Sequence, residues 1–309
     1  MNSIDLVYFV AVAKTGSITK AAAFLDTVQS NVTQRIKRLE EELGVALFHR
    51  NGRGMSLSPA GAQLLPHAKR IDHAMDEARR SVIDATKPSG ALTVGAMETT
   101  AALRLPEVLV DYAQHYPDVD MVLRTSTTER LLADVLDRKI EGAIVAGPID
   151  HPELMQQKVG SEELVIVTAP WLRYPHGNRP PWLPSATEAK IAIFRSGCSY
   201  RERIERLLIR QGVTSIRRME IGSLDGIMGC VRAGIAISLL PLSVATPLAD
   251  AGKIAVHRLA PGEGLVDSVF VRRRDTFVSS ALARFVETVA AHFAVDTEGA
   301  EAPRASTLS

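Results

Sequence analysis

The period of the apolar residues changes at Lys87-Pro88-Ser89-Gly90, and that change limits the chain to two differently built parts. Before it, apolar residues recur at helical spacing in short segments separated by polar turns. After it, strand-like runs alternate with longer amphipathic stretches, the signature of an α/β domain. A single helical bundle and an all-β sandwich are both excluded.

The N-terminal part opens with a helix over Ile4 to Ala13, with Leu6, Phe9, Val10 and Ala13 on one side. Lys14-Thr15-Gly16-Ser17 ends it, and Ser17 is placed to cap a second helix over Ile18 to Leu25. Asp26-Thr27-Val28 forms the next turn. A third helix spans Gln29 to Leu43, where Val32, Ile36, Leu39 and Leu43 face inward. Its outer face carries Gln29, Ser30, Thr33, Gln34, Arg35 and Lys37. Gly44 stops it, and Val45 to His49 and Met55 to Leu57 flank the turn Asn51-Gly52-Arg53-Gly54, a small wing. Ser58-Pro59 then starts a long helix reaching to about Lys87, with Leu64, Leu65, Ala68, Ile71, Met75, Ala78 and Val82 as an interrupted apolar seam that calls for a partner helix.

Beyond the change, strands are expected at Ala91 to Ala96, Val119 to Arg124, Gly142 to Ala146, Glu163 to Thr168, Lys190 to Phe194, Ser215 to Ile221, Ile235 to Leu239 and Val266 to Val271. Helices are expected near Thr100 to Tyr116, Thr128 to Arg138, Tyr200 to Gln211, Leu224 to Ala233 and Ser279 to Phe293. The last residues, Asp296 to Ser309, lack apolar period and read as a flexible tail. The domain bounds are therefore 1–58, 59–90 for the linker helix and hinge, 91–295, and 296–309.

Charge limits what these parts can do. The chain has 36 basic and 35 acidic side chains, so bulk charge does not recruit a polyanion. Residues 1–90 hold 12 Lys or Arg and 9 Asp or Glu, which places the basic surplus in the helical part. Two cysteines, Cys198 and Cys230, are too few for a disulfide scaffold or a thiolate cluster and fit a reducing cytoplasm. The start lacks a basic leader region, and no apolar run reaches bilayer length, so no membrane partner is expected.

Two short helices, a turn and a third helix with a polar first half can dock in a DNA major groove. Gln29, Ser30, Asn31, Thr33 and Gln34 are candidates for base edges or backbone. Arg35, Lys37, Arg50 and Arg53 are candidates for phosphates or, from the wing, the minor groove. The pattern alone leaves a protein-binding helical module as the alternative.

Catalytic readings fail on context. Lys14-Thr15-Gly16 and Ser17-Ile18-Thr19-Lys20 spell two fragments of penicillin-interacting serine enzymes, but here they lie adjacent in one interhelical turn. His67 and His73 do not share a helical face, and no Cys, His and carboxylate set has metal-ligand spacing. Gly52-Arg53-Gly54 completes neither a dinucleotide nor a P-loop fingerprint. No enzyme activity, cofactor or metal is expected.

Residues 1–90 resemble the N-terminal module of the LysR-type transcriptional regulators. The resemblance rests on Phe9-Val10-Ala11-Val12-Ala13, Gly16-Ser17, Ala21-Ala22, Gln29-Ser30-Asn31-Val32-Thr33, Arg38-Leu39-Glu40-Glu41-Glu42-Leu43-Gly44, Leu47-Phe48 and Leu57-Ser58-Pro59-Ala60-Gly61. Val28 stands where many relatives place a small polar residue. The resemblance extends to about residue 295 and implies an α+β protein overall. Its parts would be a winged helix-turn-helix with a long linker helix, then a two-lobed α/β periplasmic-binding-protein-like effector domain. Residues near 91–160 and 267–293 would form the first lobe, and those near 163–265 the second.

The same resemblance implies double-stranded promoter DNA as partner, a homodimer or homotetramer, and a small-molecule effector between the lobes, with RNA polymerase a further candidate partner. Its DNA roles carry onto Gln29, Ser30, Asn31, Thr33, Gln34, Arg35, Arg50 and Arg53. Its effector loops fall at Glu98-Thr99-Thr100, Ser126-Thr127-Thr128 and Ser196-Gly197-Cys198-Ser199, with Arg195 beside the last. Hydroxyls and helix N-termini there suit an anion. Ser223 is a ligand contact or a helix cap. Cys198 falls near the reactive cysteine of peroxide-sensing relatives, although the corresponding partner spacing reaches Leu207.

Overall fold

The computed structural model describes residues 1–51, 54–83, 87–172, 180–183, 185, 187–195 and 197–301, except the side chains of Arg50, Asn51, Arg80, Ser81, Ile83 and 295–301. Two compact units divide it, Met1–Ala85 and Thr86–Ser309.

In the first unit, α1 (Ser3–Thr15) starts at Asn2, whose side chain accepts from the Ile4 N–H, and α2 (Ile18–Phe24) starts at Ser17, which accepts from Lys20. Helix α3 (Gln29–Leu43) ends at Gly44 in the left-handed conformation. Strands β1 (Phe48–Asn51) and β2 (Gly54–Leu57) pair antiparallel as the wing, Phe48 opposite Leu57. The Glu40 carboxylate on α3 accepts from the Leu47 and Phe48 N–H groups at 2.7 and 3.2 Å, tying helix to wing. Leu6, Phe9, Val12, Val32, Ile36, Leu39 and Phe48 form the core, with the Phe9 and Phe48 rings 5.3 Å apart.

Helix α4 (Pro59–Ile83) continues through Pro66. Its expected seam divides. Leu64, Leu65, Ala68 and Ile71 pack on the core of their own unit, whereas Met75 and Val82 are 51 % and 79 % exposed.

The second unit follows in the order β3 (Gly90–Ala96), α5 (Glu98–Leu103), α6 (Leu105–His115), β4 (Val119–Thr125), α7 (Thr128–Leu136), β5 (Gly142–Ala146) and β6 (Leu154–Thr168). Then come β7 (Glu188–Ile193), α8 (Ser199–Arg210), β8 (Ser215–Glu220), α9 (Leu224–Arg232), β9 (Ser238–Pro241), α10 (Leu242–Asp250), β10 (Ala255–Arg258), β11 (Leu265–Arg273) and α11 (Ser280–Glu301). The main sheet has the order β10-β6-β11-β5-β3-β4, with β9 also on β6; β7 and β8 form a parallel pair. Strand β3 is parallel to β4 and β5, while β11 is antiparallel to β5 and β6. Residues 154–163 of β6 pair with β11, and residues 164–168 pair with β9 and β10. One strand thus belongs to both lobes of the α/β architecture.

Several elements differ from expectation. The single helix over Thr100 to Tyr116 is two, because Pro106 lacks the N–H that would continue the ladder; Arg104 marks the break and packs 3.5 Å from the Phe293 ring centroid. Strand β6 begins nine residues before Glu163, through the exposed Gln156-Gln157-Lys158, whose polarity hides a strand held by β11. Strand β9 lies later than Ile235 to Leu239, and α10 and β10 are additional to the expected elements. Helix α11 continues to Glu301, so residues 296–301 are not an irregular tail; residues 302–309 lie outside the described residues. Among the described residues no helix is long and apolar enough to cross a membrane.

Candidate functional site

The outer face of α3 offers Gln29, Ser30, Gln34 and Lys37 to solvent, Lys37 lying 3.5 Å from Glu41. The half-buried Thr33 hydroxyl donates to the Gln29 carbonyl. Asn31 and Arg35, also expected to meet DNA, are engaged internally. The Asn31 amide donates to the Tyr8 hydroxyl and Thr27 Oγ1, both at 3.0 Å, and its oxygen accepts from Arg35 Nε. Arg35 Nη1 donates to the buried Asp5 carboxylate at 2.9 Å. Sequence reading missed Asp5 because an acid in a first helical turn ordinarily faces water. The Arg50 side chain and all of Arg53 lie outside the described residues. Val28 precedes α3 without a side-chain hydrogen bond, and the Asn31 N–H donates to the Val28 carbonyl at 3.1 Å.

In the second unit, a cavity of about 260 Å³ is lined from the first lobe by Met97, Glu98, Thr99 and Thr125 to Thr128. Phe194, Arg195, Cys198, Tyr200 and Gly222 line it from the second lobe. Of the expected residues, Thr99, Thr127, Thr128, Arg195 and Cys198 reach it. Thr100 is buried without lining it, Ser199 hides its hydroxyl among buried atoms, and Ser223 is exposed and accepts from Gly226 N–H of its own helix. The cap reading of Ser223 is the one its geometry favours.

Neither α7 nor α8, which both start at the cavity, has a side-chain cap. The buried Thr99 side chain lies beside the Tyr200 hydroxyl. Arg195 forms no ion pair among the described residues. The lobes touch here: the Glu129 N–H donates to the Gly197 carbonyl at 3.3 Å.

Beneath the cavity, the Tyr200 hydroxyl donates to the Glu162 carboxylate. Burial pushes Glu162 up, against the pull of Tyr200 and the Arg104 and Arg203 charges. Burial also pushes up the Cys198 thiol, and Arg201, the nearby cation, is paired with Glu205 and Glu220 at 3.1 and 2.7 Å. These features oppose a reactive thiolate.

Folding favours protonated Glu162, so its contribution to stability is full below the unfolded carboxyl's ordinary value and declines as pH rises through the folded one. Glu162→Gln keeps an acceptor for Tyr200 and removes that decline. The variant's effector unit should melt above wild type at about pH 8, the gap closing near about pH 4, in thermal denaturation followed across pH. Equal melting at the higher pH would show that the arginines fully offset burial.

A winged helix-turn-helix and a two-lobed domain with an interlobe cavity, joined in one chain, define a ligand-responsive class of DNA-binding protein. Residues 4–62 match the family model described as bacterial regulatory helix-turn-helix protein, lysR family, and residues 85–294 match LysR substrate binding domain. The chain belongs to the LysR family of DNA-binding transcriptional regulators, with a substrate-binding effector domain. It is 40 % identical to the HTH-type transcriptional regulator GltR of Bacillus subtilis (strain 168), over 96 % of this chain and 98 % of that one. It is 37 % identical to the HTH-type transcriptional regulator CzcR of Bacillus anthracis, over 94 % and 98 %. Full-length CbnR, solved in complex with its target DNA, superposes with TM-score 0.63 at 25 % identity, covering 94 % of this chain and 100 % of that one. LysG of Corynebacterium glutamicum with bound effector Arg shares the fold, with TM-score 0.63, 21 % identity and coverage of 96 % and 99 %.

Proposed function

We propose that the chain reads paired half-sites in promoter DNA as a homodimer or homotetramer and changes its placement on them when a small anionic metabolite enters the interlobe cavity. Gln29, Ser30, Thr33 and Gln34 read bases or position the helix, and Lys37, Arg50 and Arg53 meet the backbone. RNA polymerase is a downstream partner on this reading, the cytoplasm its compartment, and no catalytic step belongs to it. The observation that carries the effector half is Arg195, a cation without a carboxylate partner among the described residues, lining a cavity where two uncapped helices begin. The exposed Met75 and Val82 on α4 support a second copy as the missing helix partner.

Footprinting on promoter fragments, with and without cell metabolites, tests the DNA half; no protection by folded oligomer sinks it. Gln29→Ala should weaken the protected site about 5- to 100-fold while leaving scrambled DNA nearly unchanged, because a glutamine bidentate to adenine carries sequence information and little bulk affinity. Competition binding against both duplexes measures the difference.

A further inference from the structure

The first unit contains a buried carboxylate, Asp5, that is paired with arginines of α3. Asp5, on the first turn of α1, is fully buried. Its Oδ1 accepts from Arg35 Nη1 at 2.9 Å, and Oδ2 lies 3.6 Å from Arg38 Nε. The same Arg35 guanidinium lies 4.8 Å from the Tyr8 ring centroid and donates through Nε to Asn31 Oδ1 at 3.2 Å. Asn31 is thereby fixed with its amide toward Tyr8 and Thr27. Both residues lie on α3 within a turn or two of Gln29, Ser30 and Gln34, which remain exposed.

A buried carboxylate costs desolvation energy that only good pairing offsets. The consequence of this pairing is electrostatic. An unpaired arginine in the middle of a recognition helix would seek phosphate, which adds affinity for every sequence and information about none. Arg35 is the nearer of the two arginines that share the Asp5 carboxylate, and its Nη1 and Nε donors are directed inward, to Asp5 and Asn31.

We propose that Asp5 is a positioning residue for DNA discrimination: it withdraws Arg35 from the phosphate backbone and, through Arg35, holds Asn31 away from the bases. This rests on the reading of α3 as the DNA-reading helix. It reassigns Arg35 and Asn31 from DNA contacts to internal parts of the reader.

The test uses full-length protein and a duplex selected from a random library by the wild type, together with the same duplex scrambled at its half-sites. Dissociation constants are measured over a range of KCl concentrations. In Asp5→Asn, Arg35 is released, and the slope of log affinity against log salt on scrambled DNA should steepen by about 0.9 for each subunit bound. Discrimination between the two duplexes should fall on the order of tenfold. In the double variant Asp5→Asn/Arg35→Met, which restores the wild-type net charge of the Asp5, Arg35 and Arg38 set, the slope should return to the wild-type value, whereas a slope that stayed steep would assign the effect to Arg38 and overturn the proposal. Simple loosening of the fold does not produce that steepening and its reversal.

An unchanged slope in Asp5→Asn overturns the proposal, as does a double variant with a slope shallower than wild type, since Arg35 would then already meet phosphate. If Asp5→Asn alone fails to fold, the double variant decides between these outcomes. Failure of the wild type to enrich any duplex is a separate result and rejects the DNA-reading function itself.

Discussion

Gly61→Ala is expected to melt the DNA-binding unit on the order of 10–20 °C below the native chain while the effector unit keeps its own transition. Gly61 lies in the first turn of α4, where a β-carbon would run into the Leu47 carbonyl oxygen and within 3.0 Å of Leu57 Cδ2. Retreat is difficult because the turn is held on both sides. Ser58 N–H donates to the same Leu47 carbonyl at 2.9 Å, Ser58 Oγ donates to the Ala46 carbonyl at 2.7 Å, and Gly61 N–H donates to Ser58 Oγ at 3.0 Å. The added methyl must separate α4 from the wing strand. Overpacking against such a backbone costs about 3 kcal/mol or more, a large share of the stability of a unit of this size. Calorimetry of the full chain reads both transitions, and a fall of only about 1–2 °C would mean that the Leu47 segment yields freely.

The second large effect lies at the meeting of the lobes. Gly197 has φ of +88°, and a β-carbon on it would stand 2.7 Å from Glu129 Oε2, 2.9 Å from Glu129 Cβ and 3.0 Å from Thr127 Oγ1. Its carbonyl is the acceptor for the Glu129 N–H across the cleft. Gly197→Ala therefore strains the backbone by about 1–2 kcal/mol and pushes apart the cavity walls that meet at Gly197 and Glu129. Small carboxylates that raise the melting temperature of the wild type should bind this variant about tenfold or more weakly by titration calorimetry. Unchanged affinity would mean that ligand binding does not use the closed contact.

Local chemistry made most of the architecture legible. Ser17, Gly44 and Ser58-Pro59 punctuate the helices at the observed places, and the inward stripe Val32, Ile36 and Leu39 gives α3 its face. What was not legible depends on partners distant along the chain. Arg35 looks like any exposed arginine of a polar helix until Asp5, thirty residues earlier, is folded against it. Glu162 sits just before the strand expected at Glu163 to Thr168, in the polar run Gly160-Ser161-Glu162. Only the crossing of β6 under Tyr200 buries it. The cavity residues divide in the same way: the hydroxyl loops are visible as turns before helices, whereas Phe194, Tyr200 and Gly222 become lining residues through the approach of two lobes.

The continuity of β6 limits how the two lobes can be joined. Because residues 154–163 belong to the first lobe's pairing with β11 and residues 164–168 to the second lobe's pairing with β9 and β10, the lobes are not joined there by a slack tether. Any change in the angle between the lobes would have to be taken up as torsion in a hydrogen-bonded ribbon. The register shift between Ser268 and Val269, where Val159 is the extra residue on β6, lies within the first lobe's pairing and not at the change of partner between Glu163 and Leu164. A ligand that changed the angle between the lobes would work against the stiffness of this shared strand.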